Sequence, residues 1–221
     1  MPSLGLAPSE DALANLKRSM DDASPAKEET VVTGWKDKLL QFYIDREALA
    51  FGNFTLASGK TSDFYIDSRT VTTHPQGLRL IAQAFAQIIE NQDLLPPDAN
   101  LITPGGVSGI PIGTALALEL DIPFVIDRGA QKAHGLGKRF EGKFSTNNRC
   151  LVVDDLVTAG GTILKTVQAL RDEGYTVSDA LVVVDREEGG REELAKLGVK
   201  LHALVTKADL RRALERYGEN A

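Results

Sequence analysis

The segment from Cys150 to Thr162 places an uninterrupted apolar run directly before two acids and a small, hydroxyl-rich loop. An apolar run of this kind is typical of a parallel strand that is buried on both faces. Apolar residues at helical spacing follow at once, at Ile163, Leu164, Val167 and Leu170. The pattern therefore predicts a loop that joins the carboxyl end of a buried strand to the amino end of a helix.

This loop has the composition of a site for a phosphorylated sugar. Its acidic, small and hydroxyl-bearing residues are Asp154, Asp155, Thr158, Ala159, Gly160, Gly161 and Thr162. Unpaired N–H groups at a helix start favour a phosphate, the glycines allow close approach of the backbone, and the hydroxyls add donors. The carboxylates can accept hydrogen bonds from a sugar diol or face a magnesium ion. A buried strand with an ordinary helix cap is the alternative, but it leaves two adjacent acids unexplained.

Length and charge exclude other classes of protein. The chain has 221 residues, a net charge of −6 and one cysteine, which fits one α/β domain and argues against a general nucleic-acid surface. Cys150 heads an apolar strand and is expected to be a buried, inert thiol, as suits a reducing cytoplasm. The first residues lack the pattern of a secretory signal. Prolines and glycines interrupt the uncharged stretch 101–118, which argues against a membrane span.

Alternating strand and helix patterns predict the architecture. Residues 1–33 are expected to form an acidic, mobile extension, and residues 34–221 one domain, with a hood mainly at 34–70 and a core mainly at 71–221. The hood combines a helix near 35–42 with a strand pair at 51–56 and 64–67. Core strands are predicted at 101–103, 124–127, 151–154, 180–184 and 200–205, with helices at 78–89, 110–120, 163–173, 191–197 and 207–217. This order indicates an α/β fold with a mainly parallel central sheet and helices on both faces.

A basic, glycine-rich segment lies between two predicted strands, at 127–142. Its basic residues include Arg128, Lys132 and His134. The segment is either a mobile loop that brings cations to a polyanion or a solvated surface loop, and composition alone favours the second.

Arg186 and the segment 54–67 suit a planar, anionic ring. Arg186 directly follows a predicted strand, and its guanidinium can make two parallel hydrogen bonds to a carboxylate. The alternative is a surface ion pair with Glu187 or Glu188, which would contribute little. Segment 54–67 contains several aromatic residues and, judged alone, is a surface hairpin whose aromatic rings pack inward.

Four segments together resemble a known enzyme family. Segment 150–162 resembles the phosphoribosyl diphosphate (PRPP) signature of type I phosphoribosyltransferases, in which adjacent acids precede a loop for the sugar 5′-phosphate. Arg128, Lys132, His134 and Gly135, followed by Glu141 and Gly142, are similar to the catalytic loop of orotate phosphoribosyltransferases. Segment 54–67 resembles that family's flap, Arg186 its orotate-facing arginine, and the turn 105–111 its diphosphate loop. The resemblance runs from about residue 35 to residue 217.

The resemblance implies transfer of phosphoribosyl from PRPP to orotate, giving orotidine 5′-monophosphate and diphosphate, in de novo pyrimidine (UMP) biosynthesis. The residues it makes catalytic are Lys132, Asp155, Arg128 and His134. The implied PRPP ligands are Asp154, Asp155, Thr158, Ala159, Gly160, Gly161, Thr162, Arg128, Lys132, His134 and Ser108, and the implied orotate ligands are Tyr65, Ile66, Thr158 and Arg186. It further implies magnesium held through PRPP near the two acids, and a homodimer in which the loop from Arg128 to Glu141 acts in the partner's site.

Two other functions remain open. A type I phosphoribosyltransferase for another nucleobase would share the PRPP site, although Arg186 and the flap favour orotate. A PRPP-sensing regulator that binds nucleic acid would keep the fold, but the intact basic loop and the acidic net charge disfavour it. Several relatives carry Lys where this chain has Ala57, Ser108 and Gly129, which leaves open how strongly diphosphate binds.

Overall fold

Strands and helices alternate through the core of the chain. The structure, a computed structural model, describes residues 34–55, 61–95, 100–129, 139–142 and 148–217. The strands are β1 (Leu49–Thr55), β2 (Thr61–Ile66), β3 (Asn100–Pro104), β4 (Ile126–Asp127), β5 (Phe140–Glu141), β6 (Arg149–Val157), β7 (Thr176–Asp185) and β8 (Lys200–Thr206). The helices are α1 (Trp35–Asp45), α2 (Ser68–Thr72), α3 (Pro75–Gln92), α4 (Gly109–Leu120), α5 (Gly161–Asp172), α6 (Gly190–Lys196) and α7 (Lys207–Tyr217). The extension expected at residues 1–33 lies outside the described residues.

A four-stranded parallel sheet with the order β3-β6-β7-β8 forms the centre. Leu101 of β3 lies opposite Cys150 of β6, and Asp154 of β6 lies opposite Val182 of β7. Because all the strands run in one direction, their carboxyl ends meet at one edge, where ligands bind in open α/β sheets. The predicted fold class, an α/β fold with a mainly parallel sheet, is confirmed.

Strand β6 is buried on both faces, as its uninterrupted apolar run predicts. Leu151 and Val153 pack into the core beneath α1, α3 and α4, whereas Cys150 and Val152 pack into a second core with α5 and α6. Side chains alternate between the faces of a strand, so an apolar residue is needed at every position. The strand runs on to Val157 and pairs with β7 through that residue. The two acids therefore lie inside the strand, not at its end as the sequence pattern predicted.

The hood consists of α1 and the antiparallel hairpin β1–β2, in which Ala50 lies opposite Tyr65. The sequence pattern did not predict the short helix α2 that follows. Asp67, expected in the second hairpin strand, instead begins this helix by accepting hydrogen bonds from the N–H groups of Arg69, at 3.1 Å, and Thr70, at 3.4 Å. Such capping is the usual role of an Asp at the start of a helix.

The predicted strand at residues 124–127 does not join the central sheet along its length. Phe124 forms a single parallel bridge to Ile102. The chain then turns away, and Ile126 and Asp127 pair antiparallel with Glu141 and Phe140. Strands β4 and β5 thus form a separate two-stranded ladder at the two ends of segment 130–138. Within the described ranges, no helix is both long enough and apolar enough to span a membrane.

Candidate active site

The loop between β6 and α5 lines a cavity at the carboxyl edge of the sheet. The cavity has a volume of about 290 Å³ and is lined by Asp154, residues 156–163 and Lys165. Gly160 precedes helix α5 with a φ of 80°, a left-handed conformation that favours glycine. The unpaired N–H groups at the start of α5 therefore lie in the cavity wall, beside the hydroxyls of Thr158 and Thr162. The strand, loop and helix follow one another as predicted, and this arrangement suits a phosphate.

Asp154 is a buried carboxylate in this cavity wall. Its Oδ1 accepts hydrogen bonds from the Ser108 hydroxyl and from the N–H of Asp155, both at 3.0 Å. Burial and the nearby charge of Asp155 raise the pKa of Asp154 to about 7. Because removal from water disfavours an ionised carboxyl group, a bound cation or a donor from a ligand would stabilise its charge.

Asp155 faces the other side of the sheet, since side chains alternate along β6. Its neighbour there is Tyr43 of the hood helix: burial raises the pKa of the Tyr43 hydroxyl, and the charge of Asp155 adds to that rise. The carboxylate of Asp155 accepts the N–H of Leu156 at 2.8 Å. The two acids, which were predicted to hold one ribose together, therefore leave β6 on opposite faces, yet their carboxyl groups are close enough for a side-chain hydrogen bond that adds to the raised pKa of Asp154.

The turn after β3 packs against the loop after β6. The N–H of Gly105 donates to the Val153 carbonyl at 2.7 Å. A Cβ on Gly106 would lie 3.1 Å from the Thr162 methyl group, so the two turns are in close contact. Helix α4 begins at Gly109, immediately after Ser108. The start of α4 thus lies next to the cavity wall, in contact with Asp154 through Ser108 and close to the start of α5 through Gly106.

Arg186 lies directly after β7 and is buried, with 8% of its surface exposed. Its backbone N–H donates to the Val157 carbonyl at 3.0 Å, and its Nε donates to Oε1 of Glu188 at 3.0 Å. The ion pair considered as an alternative therefore exists, between a buried arginine and a Glu188 side chain that is 33% exposed. Its carboxylate partner fixes the guanidinium orientation.

The sequence did not reveal how the turn that carries Arg186 is held. Asp185, at the end of β7, accepts hydrogen bonds from Arg191 Nε at 3.0 Å and from the N–H of Glu187 at 2.9 Å. At the start of α6, a Cβ on Gly190 would lie 2.6 Å from the Thr158 carbonyl oxygen. The arginine turn and the cavity loop therefore touch through their main chains. An Asp at a strand end with an Arg six residues later is the sequence signal that was overlooked.

Of the two hairpin residues that were predicted to contact orotate, one is exposed to solvent. Tyr65 is 48% exposed, and its ring lies 5.7 Å from the ring of Phe54, centroid to centroid. Ile66 is buried in the core with 7% of its surface exposed, so little of its side chain is available to contact a ring. Lys207 Nζ lies 5.9 Å from the ring centroid of Phe64, which places β2 beside the end of β8 and thus at the carboxyl edge.

The basic segment is described only at its two ends. Arg128 forms an ion pair with Glu141 at 2.7 Å, across the β4–β5 ladder. Lys132 and His134, the other predicted catalytic cations, lie outside the described residues, as does Ala57. Among the residues that the structure describes, no group of three or more His, Cys, Asp or Glu side chains could hold a metal ion. A magnesium site here would need ligand oxygens in addition to Asp154 and Asp155.

Comparison with known proteins identifies the family. Residues 67–202 match the phosphoribosyl transferase domain. The orotate phosphoribosyltransferase of Pyrococcus abyssi is 41% identical to this chain over 175 residues, which cover 79% of this chain and 94% of that protein. The chain belongs to the orotate phosphoribosyltransferase family. The orotate phosphoribosyltransferase of Halobacterium salinarum is also 41% identical, over 174 residues that cover 79% of this chain and 95% of that one.

Solved structures of orotate phosphoribosyltransferases share the fold. The crystal structure of the enzyme from Aeropyrum pernix aligns with a TM-score of 0.69 and 34% identity, over 83% of this chain and 99% of that one. The structure of Leishmania donovani UMP synthase aligns with a TM-score of 0.70 and 30% identity, over 82% of this chain. This chain covers 38% of that synthase. The family that the sequence motifs indicated is confirmed.

Proposed function

We propose that this protein transfers the phosphoribosyl group of PRPP to orotate, with orotidine 5′-monophosphate and diphosphate as products, in the synthesis of UMP. The contact between the cavity loop and the turn that carries Arg186 supports this function best. It brings the start of α5, which we propose binds phosphate, next to the turn of a buried arginine at the carboxyl edge of the sheet. Relatives named orotate phosphoribosyltransferase, 41% identical over most of their length, agree with it.

The cavity loop is proposed to hold the 5′-phosphate of PRPP. The N–H groups at the start of α5 and the hydroxyls of Thr158 and Thr162 supply donors around the cavity, with Ala159, Gly160 and Gly161 forming its floor. Asp154 accepts hydrogen bonds from the ribose hydroxyls on one side, and Asp155 approaches from the other. The hydroxyl of Ser108, which donates to Asp154 Oδ1 in this structure, is proposed to donate to the diphosphate instead once PRPP is bound.

Arg186 is proposed to bind the orotate carboxylate. Its Nε is engaged by Glu188, which directs the guanidinium in one orientation. Tyr65 would then cover the ring from the hairpin, with Thr158 at its edge. A planar carboxylate matches the guanidinium fork, whereas a base without a carboxylate could not form this charge-assisted contact.

The reaction exchanges one bond at the ribose C1′. The orotate ring nitrogen bonds to C1′ while the C1′–O bond to diphosphate breaks, and the bonding electrons leave with the diphosphate. Negative charge therefore grows on the leaving group, where we propose that Arg128, Lys132 and His134 stabilise it. Orotate can react as the ring anion, so no strong base is required.

Magnesium is proposed as the cofactor, held mainly by the oxygens of PRPP. The carboxylates of Asp154 and Asp155 fit such an ion, since Mg²⁺ is usually bound by one or two carboxylates together with substrate phosphates. When bound, the ion would neutralise charge on the diphosphate.

A cytoplasmic location is also proposed. The single cysteine, Cys150, is buried, and burial raises the pKa of its thiol to about 12. A thiol kept reduced and without a disulfide partner suits a reducing compartment.

The decisive experiment follows the loss of orotate absorbance in the presence of PRPP and Mg²⁺, with adenine, guanine, xanthine and uracil tested by diphosphate release. We expect turnover of orotate alone. In Arg186→Gln, the KM for orotate should rise at least about tenfold, because a charge-assisted bond is lost. Arg171→Gln is the matched control, since Arg171 donates to the carbonyls of Leu197 and Val177 away from the cavity.

Each of the other possible results of this assay would indicate a different function. Turnover of another base would retain PRPP transfer but contradict the role given to Arg186. No turnover, with PRPP still bound in a direct binding measurement, would favour a PRPP-sensing regulator.

We further propose a homodimer in which the loop from Arg128 to Glu141 serves the partner's site. Lys132→Ala and Asp155→Asn subunits, each inactive alone, should regain activity when mixed, because one of the two sites in each hybrid dimer is intact. Random exchange would restore roughly a quarter of the wild-type activity. No recovery despite proven subunit exchange would contradict sharing of the loop.

A further inference from the structure

Asp127, the last residue of β4, is a buried carboxylate with four hydrogen-bond donors. Its side chain is 4% exposed. It accepts two bonds from Arg139, Nε and Nη2 each at 2.7 Å, one from the N–H of Gly129 at 2.8 Å, and one from the Thr166 hydroxyl at 2.9 Å. Burial by itself would raise the pKa of Asp127, but these bonds hold it below its usual value. The carboxylate is therefore charged at neutral pH and its donors are fixed.

These bonds join three separate elements, and we call them the Asp127 clasp. Arg139 directly precedes β5, and its carbonyl accepts the N–H of Arg128 at 3.0 Å. Thr166 lies on α5, the helix whose first residues line the cavity. Strand β4 is thus bonded through Asp127 to the helix that is proposed to hold the 5′-phosphate, and β5 is linked to that helix through the Arg139–Asp127 pair. The pairing of β4 with β5 does not by itself require a buried carboxylate, because a two-residue ladder can form through main-chain hydrogen bonds alone.

The clasp and the neighbouring ion pair differ in strength. The side chains of Arg128 and Glu141 are 38% and 56% exposed, and exposed pairs of this kind contribute little. The Asp127–Arg139 pair is bidentate and largely buried, the arrangement that gives charged pairs their greatest strength. Arg128 can therefore exchange Glu141 for a diphosphate oxygen at small cost, while its backbone stays attached to the clasp.

We infer that Asp127 is a positioning residue of the transfer reaction: the clasp holds the backbone of Arg128 in place, so that the guanidinium meets the diphosphate with little loss of freedom. The inference rests on the proposed function and extends it to residues that touch no substrate. Holding a cation in advance lowers the entropy lost on reaching the transition state. If the diphosphate lies in the partner's site, the same clasp sets the direction in which Arg128 leaves its own subunit.

The test compares Asp127→Asn and Thr166→Val with wild type. Asp127→Asn keeps the size of the side chain but removes the charge, and Thr166→Val removes only the bond to α5. Asp209→Asn is the matched control: Asp209 is likewise buried and accepts bonds from the N–H of Thr206 and from Arg212, away from the ladder. For each variant we would measure kcat, both KM values, the unfolding midpoint, and the rate of trypsin cleavage at the Arg128–Gly129 bond.

The expected results distinguish a role in positioning Arg128 from a general contribution to folding stability. In Asp127→Asn, kcat should fall about tenfold and cleavage after Arg128 should become faster, while the KM for orotate stays within about twofold. Thr166→Val should show the same changes in smaller degree. Arg139→Lys, which retains a charged bond to Asp127, should keep more activity than Arg139→Gln. Asp209→Asn should lose comparable stability with unchanged kcat.

Two results would overturn the inference. One is a kcat for Asp127→Asn no lower than that of Asp209→Asn; the other is unchanged cleavage after Arg128. Wild-type protein that fails to transfer phosphoribosyl to orotate would instead overturn the proposed function and the inference with it. Because cleavage needs no substrate, it reports on the clasp in either case.

Discussion

Replacing Asp154 with Asn should stabilise the protein at neutral pH, although it removes a proposed ribose ligand. Burial and the charge of Asp155 raise the pKa of Asp154 to about 7. Both hydrogen bonds that Asp154 accepts go to Oδ1, from Ser108 and from the N–H of Asp155. The amide oxygen of Asn can accept both, so the substitution removes the charge without losing these partners.

The direction of the pH effect follows from the raised pKa. The unfolded chain releases this proton near pH 3.8, and the folded protein releases it near pH 7. Between these values the folded state binds more protons, so the wild type loses stability as pH rises, and the loss is complete above pH 7. At about 1.4 kcal/mol per pH unit, the stability lost through the raised pKa of Asp154, relative to low pH, is about 2 kcal/mol at pH 5 and about 4 kcal/mol at pH 8.

Urea unfolding at both pH values, without PRPP or Mg²⁺, measures this difference. The stability gained in Asp154→Asn should be larger at pH 8 than at pH 5 by about 2 to 3 kcal/mol. Asp172→Asn, at an exposed carboxylate on α5, controls for the change in net charge. A gain that is equal at the two pH values, or larger at pH 5, would refute the argument that Asp154 is ionised at a cost. The same variant should transfer phosphoribosyl at least about tenfold more slowly, because it loses a charge-assisted bond to the ribose.

Three further predictions concern packing and ionisation. Gly190→Ala should destabilise the fold by about 1 to 3 kcal/mol and raise the KM for PRPP, because its Cβ would lie 2.6 Å from the Thr158 carbonyl oxygen, whereas Gly34→Ala, with nothing within 4 Å, should change neither. The thiol of Cys150, whose pKa burial raises to about 12, should resist iodoacetamide in the folded protein and react after unfolding; rapid native labelling would contradict its burial. Despite burial, the hydrogen bond from Lys36 holds the pKa of Asp209 below its usual value, so its contribution to stability is present above the unfolded pKa and is lost as pH falls through the folded one. Thermal unfolding should therefore show Asp209→Asn closer to wild type at pH 3 than at pH 6.

The local pattern around β6 was enough to predict the centre of the site. An unbroken apolar run can be satisfied only between two covered faces, and a helix start at the end of such a strand brings unpaired N–H groups to the sheet edge. These constraints act within a few residues of one another. The cavity loop therefore lies where the sequence pattern predicted it, between the end of β6 and the start of α5.

Contacts between distant segments could not be predicted in the same way. Nothing in the sequence near Asp127 shows that Thr166, on a helix 39 residues later, donates to its carboxylate. Likewise, the extension of β6 past its acids depends on pairing with β7. Ile66 was assigned to the ligand because of its place in a motif, but the core beneath the hairpin takes up its side chain. In each case the tertiary neighbour decides the role of the residue.

The contact between Gly190 and the Thr158 carbonyl fixes the distance from the start of α5 to the turn that carries Arg186. No rotamer change can alter this main-chain distance, and the bond to Glu188 limits the positions of the Arg186 guanidinium. If the proposed sites are right, a molecule that carries a phosphate at one end and a carboxylate at the other could therefore be built to a nearly fixed span. The site would be preorganised for a rigid inhibitor of this kind, and the affinity of the inhibitor would depend on how well its length matches the distance between the two groups that bind it.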